Sequence, residues 1–130
     1  LKITRFEDVE SWKEARLLVR DVYKVLSRCH DFGYRDQMQR AAVSVMSNIA
    51  EGFDRGSNKE FVQFLVISRG SLSEVTSLIY AGLDVGHVDQ TAFNTIITRC
   101  TKITNLLDGF IRYLKHPGNP KPRAYPEGRV

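Results

Sequence analysis

Proline is missing from the first 116 residues; all four prolines, Pro117, Pro120, Pro122 and Pro126, fall after them. Nothing of that kind interrupts helices over most of the chain. Cysteine is nearly absent too. Cys29 and Cys100 are far apart, and each falls on an apolar helical seam, which argues against a disulfide-stapled scaffold and points to buried free thiols. A single domain of 130 residues can bury a core without staples. No apolar run approaches the ~20 residues that span a bilayer, and the opening "LKITRFEDVESWK" lacks a charged-then-apolar signal pattern. A soluble, cytoplasmic protein with no membrane contact is the expectation.

Positive charge is less abundant in the body than the net value of +4 suggests. Residues 115–130 hold Lys115, Lys121, Arg123 and Arg129 against Glu127 alone, so the tail accounts for +3 and the rest for +1. With its prolines, the tail reads as an extended, flexible, basic arm over 116–130, following a folded domain over 1–115. A nucleic-acid role for the body must rest on how its charges are arranged.

What the chain has in quantity is helical periodicity. Apolar residues recur at three- and four-residue steps along four segments: Trp12, Ala15, Val19, Val22, Leu26, Cys29; Met38, Ala42, Val45, Ile49; Phe61, Leu65, Ser68, Leu72, Val75, Ile79, Gly82; and Phe93, Ile96, Cys100, Ile103, Leu107, Phe110, Leu114. The connections at 30–34, 53–57 and 85–88 are short. Short connections make successive helices antiparallel neighbours, predicting an all-α, up-down-up-down four-helix bundle. Leu17, Val43, Phe64, Val66, Ile97 and Ile111 fall off the seams, and this extra apolar girth predicts a homo-oligomer with residues such as Phe64 or Ile111 buried between subunits.

The stretch "SNIAEGFDRGSNKEF", residues 47–61, looks most like a motif. Gly52 sits where the second helix is expected to end in a left-handed cap, and Ser57 with Glu60 has the S-x-x-E spacing of a capping box. It therefore reads as a structural corner. Glu51 and Lys59 each oppose their local helix dipole, and the expectation is that Glu51 pairs with Arg55 or Lys59 across the corner. Gly70, in the run "SRGS" with Ser68 and Ser71 at its ends, reads as a close-packing notch inside the third helix.

Catalytic and metal chemistry find little support. Carboxylate-bridged metal bundles need Glu-x-x-His on two helices, and only Asp84 precedes a histidine, His87, at that spacing. Arg112 and His116 are separated by only three residues, too few for the Arg-to-His motif of helical-bundle ribonucleases of the HEPN kind. No catalytic residue, cofactor or metal is expected. The first helix is more informative. Arg16, Arg20, Lys24 and Arg28 follow at four-residue steps, with Lys13 just before them, forming a cationic stripe whose neighbours repel by roughly 0.2–0.5 kcal/mol each. Such a stripe is a solvated face, a surface that meets acids of an adjacent subunit, or a phosphate-binding track. No aromatic interleaving is evident, so backbone recognition of structured RNA is favoured over reading of single-stranded bases. Lys121 and Arg123 in the tail are further candidates for nucleic-acid contact.

"QMQRAAVSVMSNIAEGFDRGSNKEFVQFLVISRGSLSE", residues 37–74, resembles the signature of the four-helix bundle proteins encoded in intervening sequences of bacterial 23S rRNA genes, and "FEDVESWKEARLLVRDVYKV" resembles that family's first helix. The resemblance implies an antiparallel bundle assembled into homopentamers. It also implies kinship with accessory proteins of diversity-generating retroelements, whose basic surface engages nucleic acid and a reverse transcriptase. Met46 stands where relatives usually have proline, so a kink in the second helix is not assured. The resulting expectation is a non-enzymatic oligomer that binds structured RNA through Lys13, Arg16, Arg20, Lys24 and Arg28. The alternative is a scaffold that docks a protein such as a reverse transcriptase.

Overall fold

The computed structural model describes residues 2–122. After a short 3-10 turn at Phe6–Asp8 come four helices: α1 (Glu10–Val25), α2 (Phe32–Phe53), α3 (Asn58–Val85) and α4 (Gln90–Lys115). Each helix packs on the next and α1 closes on α4, while the backbones of the two diagonal pairs stay farther apart. This is the expected antiparallel four-helix bundle.

The seam of α3 follows the expected positions, from Phe61 to Gly82, without a slip. Ser68, the polar member, is fully buried and donates to the Val45 carbonyl oxygen of α2 at 2.7 Å, so its burial leaves no unsatisfied hydroxyl. Phe61 anchors one end of the core, meeting Phe53 and Phe110 edge to face at 6.0 and 5.1 Å.

Two other seams shift by one residue. In α1 the fully buried position is Leu18, and Val19 is only partly covered; in α4 Ile111 enters the core, and Phe110 packs beside it. A helix turns every 3.6 residues, so a repeat of alternating threes and fours drifts in phase, and a 3-4 step pair gives way to 4-3. Ile111 is thus a core residue of its own bundle and not a subunit contact. Phe64 is half-buried, and its ring lies under the Arg55 guanidinium, 4.5 Å from the centroid.

The corner has a different construction from the one expected. Gly52 lies within α2, which continues to Phe53; the only positive-φ glycine among the described residues is Gly86, which caps α3. A Cβ on Gly52 would come within 2.7 Å of the Phe64 Cβ and 2.9 Å of Phe61 Cδ1, so glycine is needed there for close helix approach. Ser57 Oγ accepts from the Glu60 backbone N–H at 3.2 Å, and the Glu60 carboxylate accepts from the Gly56 N–H at 3.1 Å. The second bond thus falls one residue before the N-cap. Glu51 and Lys59 are both exposed, and no ion pair joins them. Met46 packs against the core within an unbroken α2.

The expected notch at Gly70 is also different. A Cβ there would meet nothing within 4 Å, so no helix of the same chain requires a glycine at this position. Beyond α4 the chain turns back: Asn119 Nδ2 donates to the Tyr113 carbonyl, Tyr113 donates its hydroxyl to the Pro120 carbonyl, and the Ile3 N–H reaches the Pro122 carbonyl. Lys121 is exposed in this anchored segment; Arg123 lies outside the described residues.

Candidate nucleic-acid interface

Two acidic residues of α1, Glu14 and Asp21, are drawn to the α4 flank. Arg99 of α4 donates to Glu14 at 2.8 Å and to Asp21 at 3.1 Å, and Lys102 reaches Glu14 at 3.4 Å. Glu14 and Asp21 are seven residues apart, two helical turns, and one guanidinium fork bridges them. The Arg99 hydrogen bond holds the Glu14 carboxyl below its ordinary range despite some desolvation, with Lys102 contributing next. Asp21 is therefore committed to α4 and does not relieve the charge of Lys24.

On the opposite flank the basic residues are left to solvent. Lys13 pairs with Glu10 at 3.3 Å in an exposed contact, and Arg16 lies 5.8 Å from the centroid of the Trp12 ring. Arg16, Arg20, Lys24 and Arg28 are exposed, and none takes part in an ion pair among the described residues. The stripe is not wholly helical, because α1 ends at Val25 and Arg28 lies in the turn that follows. Lys24 borders a second groove, toward α4, with Asp21 and His87.

A groove of about 580 Å³ runs between α1 and α2, lined by Tyr23, Asp36, Gln39, Arg40, Val43 and Ser44. Arg20 and Arg16, three and seven residues before Tyr23, share its flank of α1. Arg40 is exposed on the α2 side of the groove and forms no ion pair among the described residues. Tyr23 and Arg40 are not among the site residues expected from the sequence. Their only signal there is an exposed position on a helix, since the groove that unites them is made by tertiary packing.

At the pole of the α1–α2 and α3–α4 turns, His87 meets Asp31 at 3.0 Å and lies 4.9 Å from the Tyr34 ring. The Tyr34 hydroxyl donates to the Leu78 carbonyl, and Asp31 caps α2 by accepting from the Tyr34 N–H. Burial pushes the Tyr34 hydroxyl up to about 12. Each group is thus spent on joining the two turns. Cys29 and Cys100 are free and buried, with burial raising the Cys100 thiol to about 11, which suppresses its reactivity at neutral pH. Among the described residues no cluster of histidine, cysteine and carboxylate side chains could hold a metal ion, and no helix is long and apolar enough to cross a membrane.

A family model described as 23S rRNA-intervening sequence protein matches residues 7–109. Among solved structures, the chain is similar to a protein of unknown function from the S23 ribosomal protein family of Bacteroides thetaiotaomicron. The TM-score is 0.74 at 20% identity, covering 78% of this chain and 98% of that one, a likeness of fold. No curated protein matches the chain.

Proposed function

The chain belongs to the 23S rRNA-intervening sequence protein family over residues 7–109, and from that membership we propose that it is a non-enzymatic, homo-oligomeric RNA-binding bundle. Its contact surface is the outward flank of α1: Lys13, Arg16, Arg20 and Lys24, with Arg28 just beyond and Lys121 and Arg123 of the tail assisting. One observation carries this reading. Glu14 and Asp21 are turned to α4 and neutralised there, while Arg16, Arg20 and Lys24 have no acidic partner among the described residues. Charges left unpaired at four-residue steps repel one another, and a polyanion relieves that repulsion by binding.

Repetition of the stripe in an assembly of several copies, five by the family resemblance, multiplies its field. Replacing Arg16, Arg20 and Lys24 together by glutamine tests the proposal. Affinity for a structured RNA should fall, and the slope of log affinity against log salt should become shallower by up to roughly 2.7 for three lost duplex contacts. Unchanged affinity and slope in a folded, still oligomeric variant would overturn it. A variant that falls apart into smaller species would show that the stripe meets acids of a neighbouring subunit.

The second reading, a scaffold that docks a protein partner such as a reverse transcriptase, draws on α3. Val66 and Ile67 are exposed there, 41% and 52%, close to the open flank of Gly70. That surface suits a helix of another copy or another protein.

A further inference from the structure

Tyr23 is 47% exposed, although α1 has a complete core face without it. Its side chain borders the α1–α2 groove, an open hollow of about 580 Å³ on the surface. The groove has three kinds of wall. Tyr23 and Val43 supply apolar surface. Gln39 and Asp36 supply hydrogen-bonding side-chain groups. Arg40 adds positive charge, and Arg20 and Arg16 precede Tyr23 by one and two helical turns on its side of α1. The Ser44 hydroxyl is already engaged, with Ser71 at 2.8 Å and Asn48 at 3.0 Å.

We propose that this groove seats one unpaired nucleotide of the bound RNA, with the base stacked on Tyr23 and the phosphate held by Arg40 and the neighbouring arginines of α1. The proposal rests on the RNA-binding reading of that flank and gives it a substrate class: RNA with a bulge or loop. Asp36 fixes the orientation. Its carboxylate repels phosphate and accepts hydrogen bonds from a base edge, so the base lies toward Asp36 and Gln39 and the phosphate toward the arginines. A continuous duplex cannot use the groove, because its bases are paired and stacked, whereas a bulged base is free to stack on an aromatic ring.

The test compares two hairpins identical except for a single bulged 2-aminopurine in one of them. Wild-type protein should bind the bulged hairpin more tightly and quench its fluorescence as the base stacks. Tyr23→Ala should lose about 5- to 150-fold in affinity for the bulged hairpin, the worth of one stacked base, and keep its affinity for the unbulged one. Tyr23→Phe should retain both the preference and the quenching. Equal binding of the two hairpins by wild type, or a bulge preference that survives in Tyr23→Ala, overturns the nucleotide site and leaves the stripe standing. Wild-type protein that retains neither hairpin at low salt overturns the RNA reading itself.

Discussion

The two flanks of α1 carry charges at comparable helical spacing and yet use them differently. On the α4 side, Glu14 and Asp21 share one arginine and are mostly covered, with side-chain exposures of 12% and 22%. On the outward side, Arg16, Arg20 and Lys24 stand in solvent without an acidic partner among the described residues. The difference shows that charge spacing along one helix does not decide whether charges serve stability or remain available. The neighbouring helices decide, by placing Arg99 against one flank and, among the described residues, no carboxylate within ion-pair distance of Arg16, Arg20 or Lys24.

Exchanging the roles is the direct way to break this comparison. Charge removal from the outward flank should weaken RNA binding without unfolding the protein; Arg99→Ala should do the reverse. It leaves two partly buried carboxylates without their shared donor, and urea unfolding should show a loss of about 1–3 kcal/mol with RNA affinity unchanged. A loss of RNA binding at intact stability would place Arg99 in the contact surface and erase the distinction between the flanks.

Ser57→Ala sharpens the comparison at a place with no role in binding. Loss of the cap should lower stability by about 0.5–2 kcal/mol in the same unfolding assay, again without effect on RNA. Gly70→Ala should act in the opposite direction. With open space for a Cβ, the variant should gain about 0.5–1 kcal/mol by thermal melting if this face is free in solution. Loss of oligomer mass in light scattering would instead identify Gly70 as a point of close contact between copies.

Acid provides the mildest perturbation. Glu14 is held below its reference value of 4.5, first by the hydrogen bond from Arg99, so the folded state prefers its ionised form. Its contribution is complete above the unfolded-state value and is lost as pH falls through the lower folded one. Melting temperature should therefore decline as pH drops below about 4.5, and less steeply in Arg99→Ala, where the largest cause of the depression is gone and only Lys102 remains. Parallel pH profiles in the two proteins would show that Arg99 is not the source of the shift.

The fold was legible wherever the apolar period stayed in phase, as along the whole of α3. It was misread by one residue at Leu18 and Ile111, because a 3.5-residue repeat drifts on a 3.6-residue helix. Gly52 was legible as a special position and misread as a terminator, since the closeness of Phe61 and Phe64 is a property of the packed pair of helices. The stripe was visible because its neighbours are local. The partners of Glu14 and Asp21, and the groove that Tyr23 and Arg40 both line, depend on packing between helices that a linear pattern does not encode.

The backbone bond between Ile3 and Pro122 brings the two ends of the described chain together at the pole that also carries the Ser57 corner, where Asn58 reaches the Leu114 carbonyl. In topological terms the bundle is a closed circuit cut at one point. A short peptide joining these ends, with new ones opened at the exposed Gly86 turn on the far pole, should yield a circular permutant with the same helix packing. Cargo inserted in the peptide that joins residues 2 and 122 would be delivered to one pole, leaving the α1–α2 groove and the turns at the other unobstructed.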